Sequence, residues 1–336
     1  MEALSPASPQ ALKDLARRSG MAITVIFVNA ELIVYILSFI LRPAILFFDS
    51  GKGGASGHTD AGFAALMVLN TIASYAALIT AYGFIFRKEL GEFRQNKGLF
   101  LGERKYRRYF ADCVVIFLAG WAAATLGSYV TAFLSDSLHD LFGVPGTRPA
   151  FHSLMPENLV QYGVFLFFTC VVAPVCEELI YRHQLLIPMR KYGDLAAALI
   201  SSLIFALAHK NFDQFLYAFM FGFFLAVLAI RSDSVIPSLI FHIINNFVTT
   251  LAAYMPEALK NTEPFQTLSQ TTTEVTNLIS LAAVSALVIA VITKVFRFGK
   301  CDTVTVREQF RLLFTDPLVI ASSVTILVIT FIDMYR

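Results

Sequence analysis

Long apolar runs, each closed by a short cluster of charged or turn-forming residues, follow one another along most of this chain. A helix needs about 20 mostly apolar residues to cross the hydrocarbon core of a bilayer. Nine runs are candidates, at 20–41, 62–86, 110–134, 159–186, 195–209, 214–230, 234–255, 275–296 and 317–335. The fifth and sixth are short, and the fourth continues without a clean end. No internal repeat or low-complexity tract breaks the series. The pattern predicts an all-α polytopic membrane protein, a bundle of about 8–9 transmembrane helices forming one domain over residues 1–336. Residues 1–19 read as a cytoplasmic N-terminal tail. The apolar stretch that follows is too long for a signal-peptide core and is not followed by a small-residue cleavage site, so it reads as a retained first span.

Composition agrees with this reading. The chain is 57% hydrophobic and 15% charged, against about 25% charged residues in soluble domains. Its net charge of +2 says little about partners, and no basic cluster alternates with aromatics in a way that suits nucleic acid. Cys113, Cys170, Cys176 and Cys301 have neither metal-ligand spacing nor the look of a disulfide framework.

The basic residues are sorted by position. With the N-terminus inside, nine spans put 20 of the 26 Lys and Arg residues in inner segments and 6 in outer ones. The positive-inside rule therefore favours a cytoplasmic N-terminus and an outer C-terminus, with the plasma membrane as the expected location. The basic segment 87–108 reads as the topology signal and an anchor to anionic lipid head groups.

Several ionisable and amide side chains lie inside these runs, where they are expensive and usually face a bundle interior or a wet cavity. Glu177, Glu178 and Arg182 lie on the fourth span, His209 ends the fifth, and His242 and Asn246 lie on the seventh. Glu178 and Arg182 are four apart and can pair on a helix, and His242 and Asn246 share a face. Glu177 is one position round from Glu178, which leaves one carboxylate to neutralise Arg182 and the other for chemistry. Counted at 1.5 Å per residue, Glu177, His209 and Asn246 sit about 20–22 Å from the inner surface, and His242 about 16 Å. Four polar groups from three helices thus arrive near one level.

A carboxylate in an apolar site is a stronger base near neutral pH, and a histidine beside it can help hold a water molecule. A second histidine with an asparagine supplies donors of the kind that stabilise a tetrahedral oxyanion. Glu, His, His and Asn together suit attack of water on an amide. Three other readings are compatible with the same residues: an ion pair and interhelical hydrogen bonds that only hold helices together, a proton relay in a transporter, or a non-catalytic membrane scaffold. Glu177, His209 and His242 are also a conceivable Zn²⁺ ligand set, although the chain has no H-E-x-x-H spacing and the water chemistry requires no ion.

At these residues the chain resembles the CAAX prenyl protease type II family and its bacterial relatives, the CPBP (CAAX protease and bacteriocin-processing) intramembrane proteases. The family's EExxxR is similar to "EELIYR" (177–182), its FxxxH to "FALAH" (205–209), and its HxxxN to "HIINN" (242–246). The motifs stand in family order across a core of residues 160–250. The resemblance implies an intramembrane endopeptidase; the residues themselves favour one without a metal cofactor. Glu177 and His209 would activate water, His242 and Asn246 would form the oxyanion hole, and Glu178 and Arg182 would support the site. The implied substrate is a membrane-associated protein or peptide, prenylated in some family members. Outside the motifs, Glu31 is a further carboxylate within a span, and Pro174 leaves the carbonyl of residue 170 without its helix partner, which predicts a kink. The loop 135–158 is an outer connector or a cover over the mouth of the bundle.

Overall fold

The computed structural model describes residues 8–28, 36, 39–40, 43, 58–94, 109–143, 155–190, 193–251, 253–293, 298 and 305–334. Glu31, residues 144–154 of the outer loop, Cys301 and the basic residues of 95–108 lie outside the described residues.

Among the described residues every regular element is a helix: α1 (Pro9–Val28), α2 (Asp60–Ile85), α3 (Arg87–Arg94), α4 (Phe110–Phe142), α5 (Leu159–Met189), α6 (Asp194–Ala208), α7 (Phe212–Ser232), α8 (Val235–Thr250), α9 (Glu257–Lys260), α10 (Glu263–Thr293), α11 (Val306–Phe314) and α12 (Pro317–Met334). Five are long and apolar enough to cross a bilayer: α2, α4, α5, α7 and α10. The third span runs past its expected end at 134 to Phe142, so residues 135–142 are helix and not the start of the outer loop; the expected short sixth span is the full-length α7 of 21 residues. The seventh, α8, stops at Thr250 after 16 residues, and the eighth begins earlier than expected, at Glu263. The N-terminal segment also differs from a simple tail. It is helical from Pro9, and Leu15, Ala16 and Ser19 are buried against the bundle.

Turn chemistry sets the helix ends. Thr59, Asn158, Asn211 and Ser234 each accept a backbone N–H of the first turn of α2, α5, α7 and α8, the ordinary role of these residue types at an N-cap. Gly193, at φ 117°, occupies backbone space that a side chain rarely tolerates and lets α5 reverse into α6.

Contacts along the helices set their directions. The Asn158 amide donates to Asp60 at one end of α5, and Tyr75 meets Glu177 further along, so α2 and α5 run parallel. His242 meets Glu178, Asn246 meets Thr169, and the Tyr162 hydroxyl donates to the Leu251 carbonyl, so α8 runs against α5. Arg231 pairs with Asp112, while a Cβ on Gly127 would stand 3.1 Å from the Leu216 backbone, so α4 and α7 are antiparallel. Tyr82 donates to the Ala22 carbonyl and Arg18 lies over Phe86, which sets α1 against α2. Gly20 abuts Leu318 and the Thr24 and Ser322 hydroxyls lie 2.7 Å apart, so α1 and α12 are parallel. Among the described residues α1, α4, α6, α8 and α12 thus run one way and α2, α5 and α7 the other. One face carries Asp112, Arg190 and Asp233, and the opposite face carries Asn158, His209 and Leu251.

The Arg190 face is tied by ion pairs. Arg190 lies 2.8 Å from both Asp194 and Asp233. Burial works against its charge, but the two carboxylates outweigh burial and raise its pKa above the usual arginine value. The most enclosed of the five long helices is α7. Leu278, Leu281 and Val284 on α10, and Leu126, Tyr129 and Phe133 on α4, are exposed, an apolar surface suited to lipid.

Two stretches of α5, Phe168–Val172 and Glu178–Leu186, are π-helical. Each runs toward a proline, Pro174 or Pro188. A proline ring collides with the carbonyl four residues back and has no N–H to give it. A wider turn relieves both problems. The irregularity expected from Pro174 is thus a widened turn, and the carbonyl that gains an outside partner is Thr169's, which accepts Asn246 Nδ2 at 3.0 Å.

Candidate active site

α2, α5, α6, α7 and α8 supply most of the wall of a cavity of about 720 Å³ inside the bundle. Glu177, His209, His242 and Asn246 all line it. Glu178 and Arg182 lie behind its wall, with side chains 1% and 0% exposed.

The centre of the site is His242. Its Nδ1 lies 2.9 Å from Glu178 Oε1, and its Nε2 lies 3.5 Å from Glu177 Oε2. The two adjacent glutamates point in different directions, as their spacing requires, yet one imidazole spans both. Phe205 and Phe221 hold the ring edge-to-face, with centroids 5.9 and 5.6 Å away. Glu178 also faces Arg182 Nη1 at 3.4 Å, the pair expected from i,i+4 spacing. Arg182 is held further by the Gly222 carbonyl at 3.1 Å and by the face of Phe205 at 4.8 Å. A buried charge without partners is costly, and these contacts keep the guanidinium off the cavity surface.

His209 closes α6. Its Nδ1 lies 2.9 Å from the Phe205 carbonyl. A carbonyl only accepts, so this nitrogen carries the hydrogen and Nε2 keeps its lone pair in the neutral ring. Lys210 follows at φ 47°, and this sharp left-handed turn starts the reversal into α7. No hydrogen bond joins His209 to Glu177 among the described residues; the two share the cavity wall.

Asn246 is oriented from both ends. Its Nδ2 donates to Thr169, and its Oδ1 accepts from Asn245 Nδ2 at 3.2 Å. Asn245 in turn accepts from the Tyr217 hydroxyl at 2.9 Å. Asn246 thus keeps one amide N–H beyond its bond to Thr169. Asn245, Tyr217 and Thr169 are missing from the sequence-derived site, and so is Tyr75, which donates to Glu177 Oε1 at 2.7 Å. A sequence signal existed for Tyr75: Asn70, Thr71, Ser74 and Tyr75 form a polar stripe on one face of an otherwise apolar helix, and all four line the cavity.

Among the described residues no group of three His, Cys, Asp or Glu side chains is arranged to hold a metal ion. Of the conceivable ligand set Glu177, His209 and His242, His242 already has a carboxylate at each nitrogen and His209 Nδ1 serves a carbonyl.

Residues 160–248 match the type II CAAX prenyl endopeptidase Rce1-like family. The membrane-embedded CAAX protease MroQ of Staphylococcus aureus (strain USA300) is 30% identical over 105 residues, a stretch covering 29% of this chain and 42% of that protein. The chain therefore matches less than half of that relative's length. No solved structure matches this chain significantly.

Proposed function

We propose, on the premise that residues 160–248 belong to the CPBP family of CAAX proteases, that this chain hydrolyses a peptide bond of a membrane-associated protein or peptide from within the bilayer. The observation that carries the reading is a histidine held between two carboxylates on the wall of a cavity lined by helices.

In the proposed reaction, water binds beside Glu177 with the bare Nε2 of His209 as a second acceptor. Glu177 takes a proton as the water oxygen adds to the substrate carbonyl. The new oxyanion is met by Nε2–H of His242 and by the spare N–H of Asn246. Collapse of the intermediate breaks the C–N bond, and Glu177 returns its proton to the leaving amine. The products are a carboxylic acid and an amine, which ionise to a carboxylate and an ammonium, and no metal takes part. We place the face bearing Arg190 in the cytoplasm, since the basic residues gather there. A prenylated C-terminus, a leader peptide and a membrane-protein loop all contain the required amide.

The test is cleavage of a quenched fluorescent peptide library, with and without farnesyl cysteine, by purified detergent-solubilised protein. Hydrolysis should be lost in Glu177→Gln and kept with a chelator. Loss with the chelator would move the chemistry to a metal. If folded protein cleaves nothing, the hydrolytic reading fails, and proton flux in proteoliposomes becomes the activity to measure.

A further inference from the structure

The matched segment, residues 160–248, does not contain everything that touches the reacting groups. Glu177 has two carboxylate oxygens, and each is engaged by a different helix. Oε2 faces His242 of α8, and Oε1 accepts the hydroxyl of Tyr75, on α2, at 2.7 Å. That distance is typical of a charge-assisted O–H···O⁻ bond.

Tyr75 is well placed to hold a carboxylate still. It packs against the main buried core. Leu78 and Tyr82, three and seven residues on, are buried on the same side of α2, and Tyr82 is tied to the Ala22 carbonyl of α1. Further up the helix, Phe63 and Met67 are buried against Phe165 of α5. The phenol therefore reaches Glu177 from a helix anchored on both sides of it. Glu177 is the more open of the two glutamates, at 15% side-chain exposure. Its carbon chain retains torsional freedom that two bonds from opposite helices would remove.

We propose that Tyr75 is a positioning residue for Glu177: its hydroxyl occupies Oε1, fixes the plane of the carboxylate and leaves Oε2 to face the water and His242. This rests on the hydrolytic reading above and extends the site to a helix outside the family match. A reacting base must be held close to its productive geometry, and misplacement lowers kcat more than substrate affinity.

The experiment uses the full chain and two readouts. In peptide cleavage, Tyr75→Phe should lower kcat about 10- to 100-fold, the effect of losing a hydrogen bond to a charged group, with KM changed less than about twofold. On a Glu177→Asp background, whose shorter carboxylate already misses the phenol, the same substitution should cost much less. Separately, the infrared carboxylate band assigned to residue 177 by its loss in Glu177→Gln should shift in Tyr75→Phe. Cleavage by Tyr75→Phe at the wild-type kcat, or a rise in KM alone, overturns the positioning role and leaves the proposed function standing. A band that shifts in Tyr75→Phe, while the wild-type protein cleaves nothing, retires the proposed function, and the positioning role of Tyr75 in it.

Discussion

Glu177 and Glu178 are neighbours in the chain but differ in what they answer to. Glu178 is enclosed, with His242 on one side and Arg182 on the other. Removing its charge leaves the Arg182 guanidinium buried and uncompensated, which costs about 3–5 kcal/mol when one partner of such a pair is lost. Glu178→Gln should therefore lower the unfolding temperature of the detergent-solubilised protein as well as its activity. Glu177→Gln should abolish cleavage and leave the unfolding temperature close to wild type, because residue 177 faces the cavity. If both variants unfold like the wild type, Arg182 does not depend on Glu178 as described. The i,i+4 spacing made the ion pair legible. The bridging imidazole was not, since it requires α8 to lie at one depth against α5.

The element that decides the site's shape is α5. Its two π-helical stretches sit on either side of Ala173–Glu177, and π-turns inside helices are frequent at functional sites. The first presents the Thr169 carbonyl to Asn246 and so couples the helix backbone to the amide. Pro174→Ala would restore an N–H able to bond the Cys170 carbonyl and let the turn close to ordinary geometry. One residue fewer in the wide turn rotates the preceding helix by about 100° and carries Thr169 away from Asn246. The variant should keep its helical content by circular dichroism while its cleavage rate falls at least about tenfold. A wild-type rate would mean that the wide turn does not organise the site. Pro174 was a visible breaker in the sequence. Its spacing pointed to the carbonyl of residue 170, but the wide turn releases that of Thr169 instead, and the side chain that takes it was not visible.

At the scale of the molecule, the parallel packing of α1 and α12 and the alternation of the helices between them put Lys13 and Lys260 on opposite faces. Single cysteines introduced at these positions in a cysteine-free variant test this directly. A membrane-impermeant maleimide should label position 260 in intact cells and position 13 only after permeabilisation. Labelling of both in intact cells would break the alternating arrangement. The short α6, about 22 Å long at 1.5 Å per residue, is almost wholly buried among its neighbours and need not match the full hydrocarbon thickness, whereas α8, about 24 Å long, keeps Ile240, Ile244 and Phe247 exposed. Hydropathy located both helices but gave α8 a longer extent and α7 a shorter one, because apolar turns and apolar helix ends look alike to a hydropathy window.

The sequence by itself determined the class of the protein, the order of its helices, the sorting of its basic residues and the three polar motifs, because each depends on local composition or on spacings of five residues or fewer. Only the tertiary structure decided that one histidine joins both glutamates, that Asn245 and Tyr217 orient Asn246, and that Tyr75 reaches Glu177 from 102 residues away. Such contacts depend on the depth and rotation at which whole helices pack. Those are fixed by close approaches such as Gly120 against Phe224, where a Cβ would come within 2.5 Å of the ring side chain, and by the widened turns of α5. A local pattern of apolar and polar residues carries no record of either.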